Sequence, residues 1–222
     1  MISNSVPIIE LKHISKSFGD REVLRDVNLS VNNGEMISIM GKSGSGKSTL
    51  LNILGYFEKQ SKGIYLFNGK KTMTENQKSE IRNRYMGFVF QSYNLIPQLT
   101  VYENITLPIF YSIDKKKRKA RLEVVDELIE KYGLTDIKNS YVENISGGEK
   151  QRVCMVRANV CEASLIISDE PTGNLDDKNK QILLDGFKEM NKAGKTIIIV
   201  THDNEVEAVA TKKLHLVEGV LQ

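Results

Sequence analysis

The amino-acid sequence predicts an α/β fold with a mainly parallel sheet. Apolar segments at 36–40, 165–168 and 195–200 are typical of buried strands, and each precedes a segment with helical periodicity. Strands that alternate with helices indicate a parallel sheet that is covered on both faces. Partly alternating segments at 8–14 and 23–31 come first, and they predict an antiparallel layer ahead of this core.

The composition excludes several classes of protein. The chain has 222 residues, enough for a packed core, and 40% of them are hydrophobic. Its net charge of +3 is too small to indicate nucleic-acid binding. No apolar run approaches the ~18 residues of a membrane span, and residues 1–7 do not resemble a signal peptide. We therefore expect a cytosolic chain in which Cys154 and Cys161 are reduced and packed.

Residues 41–48 read GKSGSGKS and match the pattern of a phosphate-binding P-loop. Glycines in such a loop let several backbone N–H groups converge on one anion, and the following helix adds its positive end. Lys47 is expected to reach the outer phosphates, and the hydroxyl of Ser48 is expected to ligate Mg²⁺. An apolar strand before the loop and a helix after it support the motif, so the sequence predicts binding of a nucleoside triphosphate.

Turn and cap residues place the remaining elements. Asn68-Gly69 after an apolar run predicts a hairpin. The stretch 92–108 is expected to be loop-like, although Thr100 and Glu103 resemble a capping box. Helices are expected after the P-loop and at 74–85, 114–132, 146–162, 178–192 and 204–209, and a last strand near 214–217.

Polar residues stand at the edge where the parallel strands end. Gln91, the pair Asp169-Glu170 and His202 each follow an apolar strand. Because ligands of open α/β sheets bind beyond the carboxyl ends of the strands, these segments should converge on the phosphates. Asp169 is expected to position Mg²⁺, and Glu170 is expected to polarise water. His202 and Gln91 can orient an attacking water.

Two features leave alternatives open. Phe18, between Ser17 and Gly19, can stack on a nucleotide base or fill the core. The basic run at 115–119 can be a solvated helix face or can attract anionic lipid headgroups.

The segment ISGGEKQ at 145–151 closely resembles the signature sequence of ATP-binding cassette (ABC) ATPases, usually LSGGQ. Together with the P-loop and the strand-end residues, it completes the nucleotide-site motifs of that family in the expected order. The resemblance extends over roughly 8–220 and implies an ATPase that binds ATP and Mg²⁺. It also implies one nucleotide-binding domain, with a RecA-like core at about 1–91 and 161–222 and a helical subdomain at about 92–160.

The resemblance assigns a role to each site residue. Phe18 stacks on adenine, where the family more often has Tyr. Glu170 is the general base, His202 is the switch histidine, and Gln91 links the metal site to a membrane partner. Metal contacts are expected from Ser48, Gln91 and Asp169. Nucleotide contacts are expected from Phe18, Gly41, Lys42, Ser43, Gly44, Ser45, Gly46, Lys47, Ser48, Thr49, Ser146, Gly147, Gly148 and Asp176.

The signature implies a dimer. Ser146 and the amides of Gly147 and Gly148 form a second anion cradle at a helix N-terminus, away from the P-loop. The family resolves this by head-to-tail dimerisation, in which each ATP lies between one P-loop and the partner's signature. The segment GNLD at 173–176 resembles the D-loop, which crosses that dimer. Glu149 stands where the family usually has Gln, and the catalytic residues are all present.

The segment GKS at 41–43 and the Lys/Ile/Asn-rich composition resemble bacteriocin-export and peptide-antibiotic-resistance ATPases, and further segments are similar to the macrolide-exporter and lipoprotein-releasing type. They read LNILG at 51–55, GFVFQ at 87–91, NLIP at 94–97, ENITLP at 103–108 and PTGNLD at 171–176. These systems imply a separate integral-membrane permease and a location at the cytoplasmic face of the membrane. The family docks the permease at the stretch corresponding to 93–105, which can also be ordinary core, and we expect a mixture of the two.

Several functions remain open at this point. The substrate can be a peptide, an antibiotic or a lipid-linked molecule, and the alternative to transport is mechanical work on a permease-like partner. A soluble ABC protein of DNA repair or translation is disfavoured, because the chain has no coiled-coil insertion, second cassette or basic stripe. The signature and His202 argue against a P-loop kinase, and no guanine-reading motif indicates a GTPase.

Overall fold

The computed structural model describes residues 6–71, 74–111, 116, 118–160, 163–173 and 175–222. In the part of the chain that it describes, no helix is both long and apolar enough to cross a bilayer. The elements in chain order are β1 (Ile9–Phe18), β2 (Arg21–Val31), β3 (Met36–Met40), α1 (Lys47–Leu54), β4 (Lys62–Phe67), β5 (Lys70–Lys71), α2 (Glu75–Tyr85), β6 (Met86–Phe90), α3 (Val101–Phe110), α4 (Arg118–Glu123), α5 (Val125–Lys131), α6 (Gly147–Asn159), β7 (Leu165–Asp169), α7 (Asp177–Lys192), β8 (Thr196–Thr201), α8 (Asn204–Val209), β9 (Lys212–Val217) and β10 (Val220–Leu221).

The central sheet has the strand order β10-β9-β3-β8-β7-β6. Neighbouring strands in it are parallel, except in the β9–β10 hairpin. Its side chains serve two hydrophobic clusters, because successive residues of a strand point to opposite faces. In β8, Ile197 and Ile199 pack with α3, α5, α6 and α7, whereas Ile198 and Val200 pack with α1 and the second sheet. The predicted α/β fold with a parallel sheet covered on both faces is confirmed.

The second sheet is antiparallel, with the order β2-β1-β4-β5. β4 and β5 are joined by Asn68-Gly69, whose φ values of +48° and +71° are those of a two-residue hairpin turn. The predicted N-terminal antiparallel layer and the hairpin are therefore both confirmed.

The expectation that 92–108 is loop-like is wrong for its second half, which forms α3. The capping box is complete: the hydroxyl of Thr100 accepts from the Glu103 backbone N–H, and the Glu103 carboxylate accepts from the Thr100 N–H. Val101 and Ile105 are fully buried on one face. Buried Asn104 bonds the backbone of the preceding loop through both ends of its amide. Burial and capping thus prevail over the helix-breaking tendency of Pro108.

The prediction of a single helix at 114–132 is also wrong, because the structure has two helices, α4 and α5, which are separated at Val124. Val124 and Val125 are both β-branched, which lowers helix propensity, and the break lets Val125 enter the core. Residues 112–115 and 117 lie outside the described residues, so the expected start of this helix and two of the five residues of the basic run do too. Cys161 also lies outside them, and Cys154 is buried and unpaired as predicted.

Candidate nucleotide-binding site

The chain turns from β3 into α1 through the P-loop. Gly44 and Gly46 have φ values of +79° and +103°, a region that residues with a Cβ rarely adopt. Gly46 is the N-cap of α1. A Cβ on Gly41 would lie 2.6 Å from the carbonyl oxygen of Leu216 in β9, so only glycine fits there. These glycines let the loop curl tightly over the N-terminus of α1, where anions are favoured.

Lys47 is folded back over this loop. Its Nζ donates to the carbonyl oxygens of Gly41, at 2.7 Å, and Lys42, at 3.2 Å. The same atom lies 3.8 Å from Oε1 of Glu170. The Lys47 side chain is only 10% exposed, and its ammonium lies beside the loop that would receive a phosphate.

Parallel pairing places the ends of β6, β7 and β8 side by side. Phe90 is level with Asp169, and Asp169 is level with Val200. The residues at these ends therefore open with the P-loop into one cavity of about 740 Å³. Its lining consists of Arg21, Val23, Gly41, Lys42, Ser43, Gly44, Gly46, Lys47, Ser48, Thr49, Gln91, Asp169, Glu170 and His202.

Both the backbone and the side chain of Glu170 are constrained. Its φ of +44° is unusual for a residue with a side chain, and its N–H donates to the carbonyl oxygen of Val200 at 2.8 Å. Oε2 accepts from the backbone N–H of His202, at 3.1 Å, and lies 2.9 Å from Nδ1 of the same residue. Oε1 faces Lys47. Strained backbone of this kind is often found at functional sites.

Asp169 directly precedes Glu170 in the chain and is partly buried. Burial raises the pKa of Asp169 above its ordinary value, the negative charge of Glu170 raises it further, and Lys47 opposes both. A cation in the cavity would relieve this cost. Ser48, Gln91 and Asp169 all line the cavity and offer the hard oxygen ligands that Mg²⁺ prefers.

The signature residues are elsewhere. Ser146 caps α6, and its N–H and hydroxyl both donate to Oε2 of Glu149, at 2.7 and 2.6 Å. The hydroxyl bond is the main reason that the pKa of Glu149 is lowered. Ser146 and Asp176 line a separate cavity of about 560 Å³. One chain therefore does not bring the two expected phosphate cradles together.

Four expected nucleotide contacts also lie apart from the P-loop cavity. Gly147 faces the hydroxyl of Tyr93, and Gly148 faces Asn179. Ser45 has a buried hydroxyl without a partner among the described residues, and it lines a neighbouring cavity. Phe18 is 50% exposed and lies beyond the lining, with the ammonium of Lys16 4.5 Å from its ring centroid.

Two cavity residues, Arg21 and Val23, were missed by sequence reasoning. Arg21 is directly opposite Phe18 in the β1–β2 hairpin, so the two side chains share a face. The short Gly19-Asp20 connection was the available signal, because it brings the start of β2 back beside Phe18.

Comparisons with known proteins agree with this geometry. The family model described as "ABC transporter" matches residues 24–173. The Bacillus subtilis ABC transporter ATP-binding protein YvrO is 42% identical, over 96% of this chain and 95% of its own length. The macrolide export ATP-binding/permease protein MacB of Aggregatibacter actinomycetemcomitans is 39% identical over 96% of this chain. The chain spans about a third of the length of that MacB, 34%.

Solved structures of the cassette MJ0796 are also similar. One dimeric structure superposes with a TM-score of 0.86 at 35% identity, covering 96% of both chains. A second, a dimer in a post-hydrolysis state bound to ADP and Pi, gives a TM-score of 0.86 at 34% identity, again covering 96% of both chains. Family model, relatives and structures agree with the P-loop cavity and the separate signature: this chain belongs to the ABC transporter family, as one of its ATP-hydrolysing cassettes.

Proposed function

We propose that two copies of this cassette enclose two ATP molecules, each between the P-loop of one copy and the signature of the other. The observation that carries the proposal is the separation of the two cradles, since Lys47 and Ser146 line different cavities. A second copy can complete a site that one chain leaves divided. The dimeric structures of MJ0796 support this arrangement.

In the proposed reaction, Glu170 accepts a proton from the water that attacks the γ-phosphate, which yields ADP and phosphate. The bonds from His202 hold one carboxylate oxygen in place. Lys47 shields the other oxygen until a phosphate draws the ammonium away. His202 orients the water and the γ-phosphate, and Phe18 offers an exposed ring on which adenine can stack.

Mg²⁺ fits this cavity, with Ser48, Asp169 and Gln91 as the residues that would hold it. When bound, the ion neutralises charge on the phosphates. The backbone amides of the P-loop, the N-terminus of α1 and Lys47 supply the rest of the positive field.

We further propose that the cassette drives a membrane permease on a separate chain and is held by it at the cytoplasmic face of the membrane. A groove of about 440 Å³ beside the P-loop cavity is the proposed docking surface. Phe57 and Tyr111 line it and are 51% and 72% exposed. Phe90, also in its lining, directly precedes Gln91, so a docked segment would adjoin the nucleotide site.

The segment expected to dock the permease, 93–105, contributes little to this groove. Asn94 lines it, whereas Val101 and Ile105 are fully buried in the core. The names of the relatives support the wider proposal. YvrO, which this chain covers almost completely, is called an ATP-binding protein, and MacB is named for macrolide export. We propose that the exported or extracted substrate is a peptide, an antibiotic or a lipid-linked molecule.

Because the proposed site is divided between two copies, we predict that a P-loop variant and a signature variant lose different properties. Lys47→Ala should weaken ATP binding by about 100-fold, because it removes charge-assisted bonds to the phosphates. Ser146→Arg should leave ATP binding by a single chain unchanged and abolish hydrolysis. Titration with a fluorescent ATP analogue and phosphate release measure the two properties, with Lys62→Ala on β4 as a surface control. Unchanged hydrolysis in Ser146→Arg would contradict the composite site.

The raised pKa of Asp169 predicts that Asp169→Asn stabilises the nucleotide-free chain at neutral pH. A raised pKa means that the charged carboxylate is less favourable in the folded state than in the unfolded state. This penalty is present above the raised pKa and is lost as the pH falls toward the ordinary range. Thermal unfolding should show a Tm increase of about 1–2 °C, small because solvent screens a partly exposed group.

The same experiment with Mg²⁺ and ATP should reverse the order, because the wild type gains a metal contact that the variant lacks. Asp185→Asn on α7 is the matched control. Hydrogen bonds, led by that of Gln181, lower the pKa of Asp185, so its neutralisation should not raise the Tm. A variant Asp169→Asn that gains as much from Mg²⁺ and ATP as the wild type would rule out the metal role.

If this groove docks the permease, substitutions in it should weaken membrane association and leave ATP hydrolysis intact. Replacing both Phe57 and Tyr111 by Ala removes two aromatic anchors and should lower the membrane-bound fraction in native cells about tenfold. The purified double variant should hydrolyse ATP like the wild type. Ile64→Ala, an exposed apolar residue on β4, is the control. An unaltered membrane-bound fraction in the double variant would place the permease elsewhere.

A further inference from the structure

The second glycine of the signature packs directly on a residue of α7. A Cβ on Gly148 would lie 2.5 Å from both Cγ and Nδ2 of Asn179. Any side chain at 148 would therefore displace Asn179 or the start of α6. The start of the signature helix therefore rests on this amide of α7.

Both ends of the Asn179 amide are occupied. Its Oδ1 accepts a hydrogen bond from Nη1 of Arg152, on the second turn of α6. Its Nδ2 donates to both carboxylate oxygens of Asp176, each at 3.0 Å. Its backbone N–H also donates to Asp176, at 2.7 Å, which completes the N-cap of α7. One side chain thus joins the signature helix to the cap of the next helix.

Arg152 depends on this contact. Its Nε is buried and has no hydrogen-bond partner among the described residues. The oxygen of Asn179 therefore anchors a guanidinium that is otherwise incompletely paired. Loss of that oxygen would leave a partly buried cation to find new partners, which is costly.

Asp176 is close along the chain to the reacting groups. The backbone N–H of Leu175 donates to the carbonyl oxygen of Thr172, and that of Gly173 donates to the carbonyl oxygen of Glu170. A Cβ on Gly173 would lie 2.7 Å from Nε2 of Gln91. The segment thus touches the P-loop cavity at one end and the Asn179 contacts at the other.

We propose that Asn179 is a positioning residue that holds the signature cradle in a fixed relation to the segment carrying Glu170 in its own chain. In a two-copy site, the cradle contacts the ATP held by the partner, whereas Glu170 acts on the ATP held by its own P-loop. The Arg152–Asn179–Asp176 contacts then make the two half-sites of one chain move as a unit. This inference rests on the composite site proposed above.

The test has two measurements. ATP hydrolysis as a function of protein concentration reports dimer formation, and ATP affinity is measured at low concentrations, where the chain is a monomer. Asn179→Ala should raise the concentration needed for half-maximal specific activity by about tenfold, as expected for losing a hydrogen bond to a charged group. Its ATP affinity as a single chain should stay unchanged. Gln181→Ala, on the same helix, is the control and should match the wild type in both.

Arg152→Ala is the second variant, because it cuts the link while leaving the Asp176 cap of α7 intact. It should give the same shift, and the double variant should be no worse than either single one, since both remove one connection. Additive shifts, or an unchanged midpoint in either single variant, overturn the role of Asn179. If wild-type specific activity does not depend on protein concentration and no ATP-dependent dimer forms, the composite site itself is wrong.

Discussion

The carboxylate of Glu170 has a neighbour at each oxygen, and these contacts join the separate segments of the nucleotide cavity. One oxygen is bound by the backbone of His202 and contacts its ring, while the other faces the P-loop lysine. This places groups from α1, β7 and the end of β8 around one point. The left-handed backbone at Glu170 is maintained by its bond to Val200 in the neighbouring strand. Parallel pairing of β7 with β8 is therefore what positions the proposed base.

The contact between Lys47 and Glu170 also distinguishes the chain without nucleotide from the chain with nucleotide bound. Without a phosphate, Lys47 satisfies its ammonium with loop carbonyls and with Glu170, so its positive charge offsets the charge of the proposed base. A nucleotide offers the lysine stronger partners, because bonds between ionised groups exceed those to carbonyls. Binding would then expose the carboxylate to water at the moment when a γ-phosphate is present. The signature, on a different face, would add the second requirement that another copy be present.

Much of this site follows from the sequence, because its residues occupy positions that chain chemistry identifies. A glycine-rich loop after an apolar strand, and polar residues at strand ends, predict the positions of Lys47, Glu170 and His202. Helix α3 was not predicted, although Thr100 and Glu103 resemble a capping box, because the loop-like stretch before it and an internal proline favoured a loop. Arg21 and Val23 were missed because the register of a hairpin, and not a motif, brings them to the cavity. The role of Asn179 depends on the packing of two helices, which leaves no local signal except the glycine that it requires at 148.

The central claim is that the P-loop cavity is half of a site. The most direct measurement is sedimentation of Glu170→Gln with and without ATP, since this substitution preserves the size of the side chain while removing the proposed base. The account predicts a single chain without nucleotide and a stable dimer with ATP, which persists because hydrolysis is blocked. A single chain under both conditions, or a dimer that forms equally well without ATP, would contradict it.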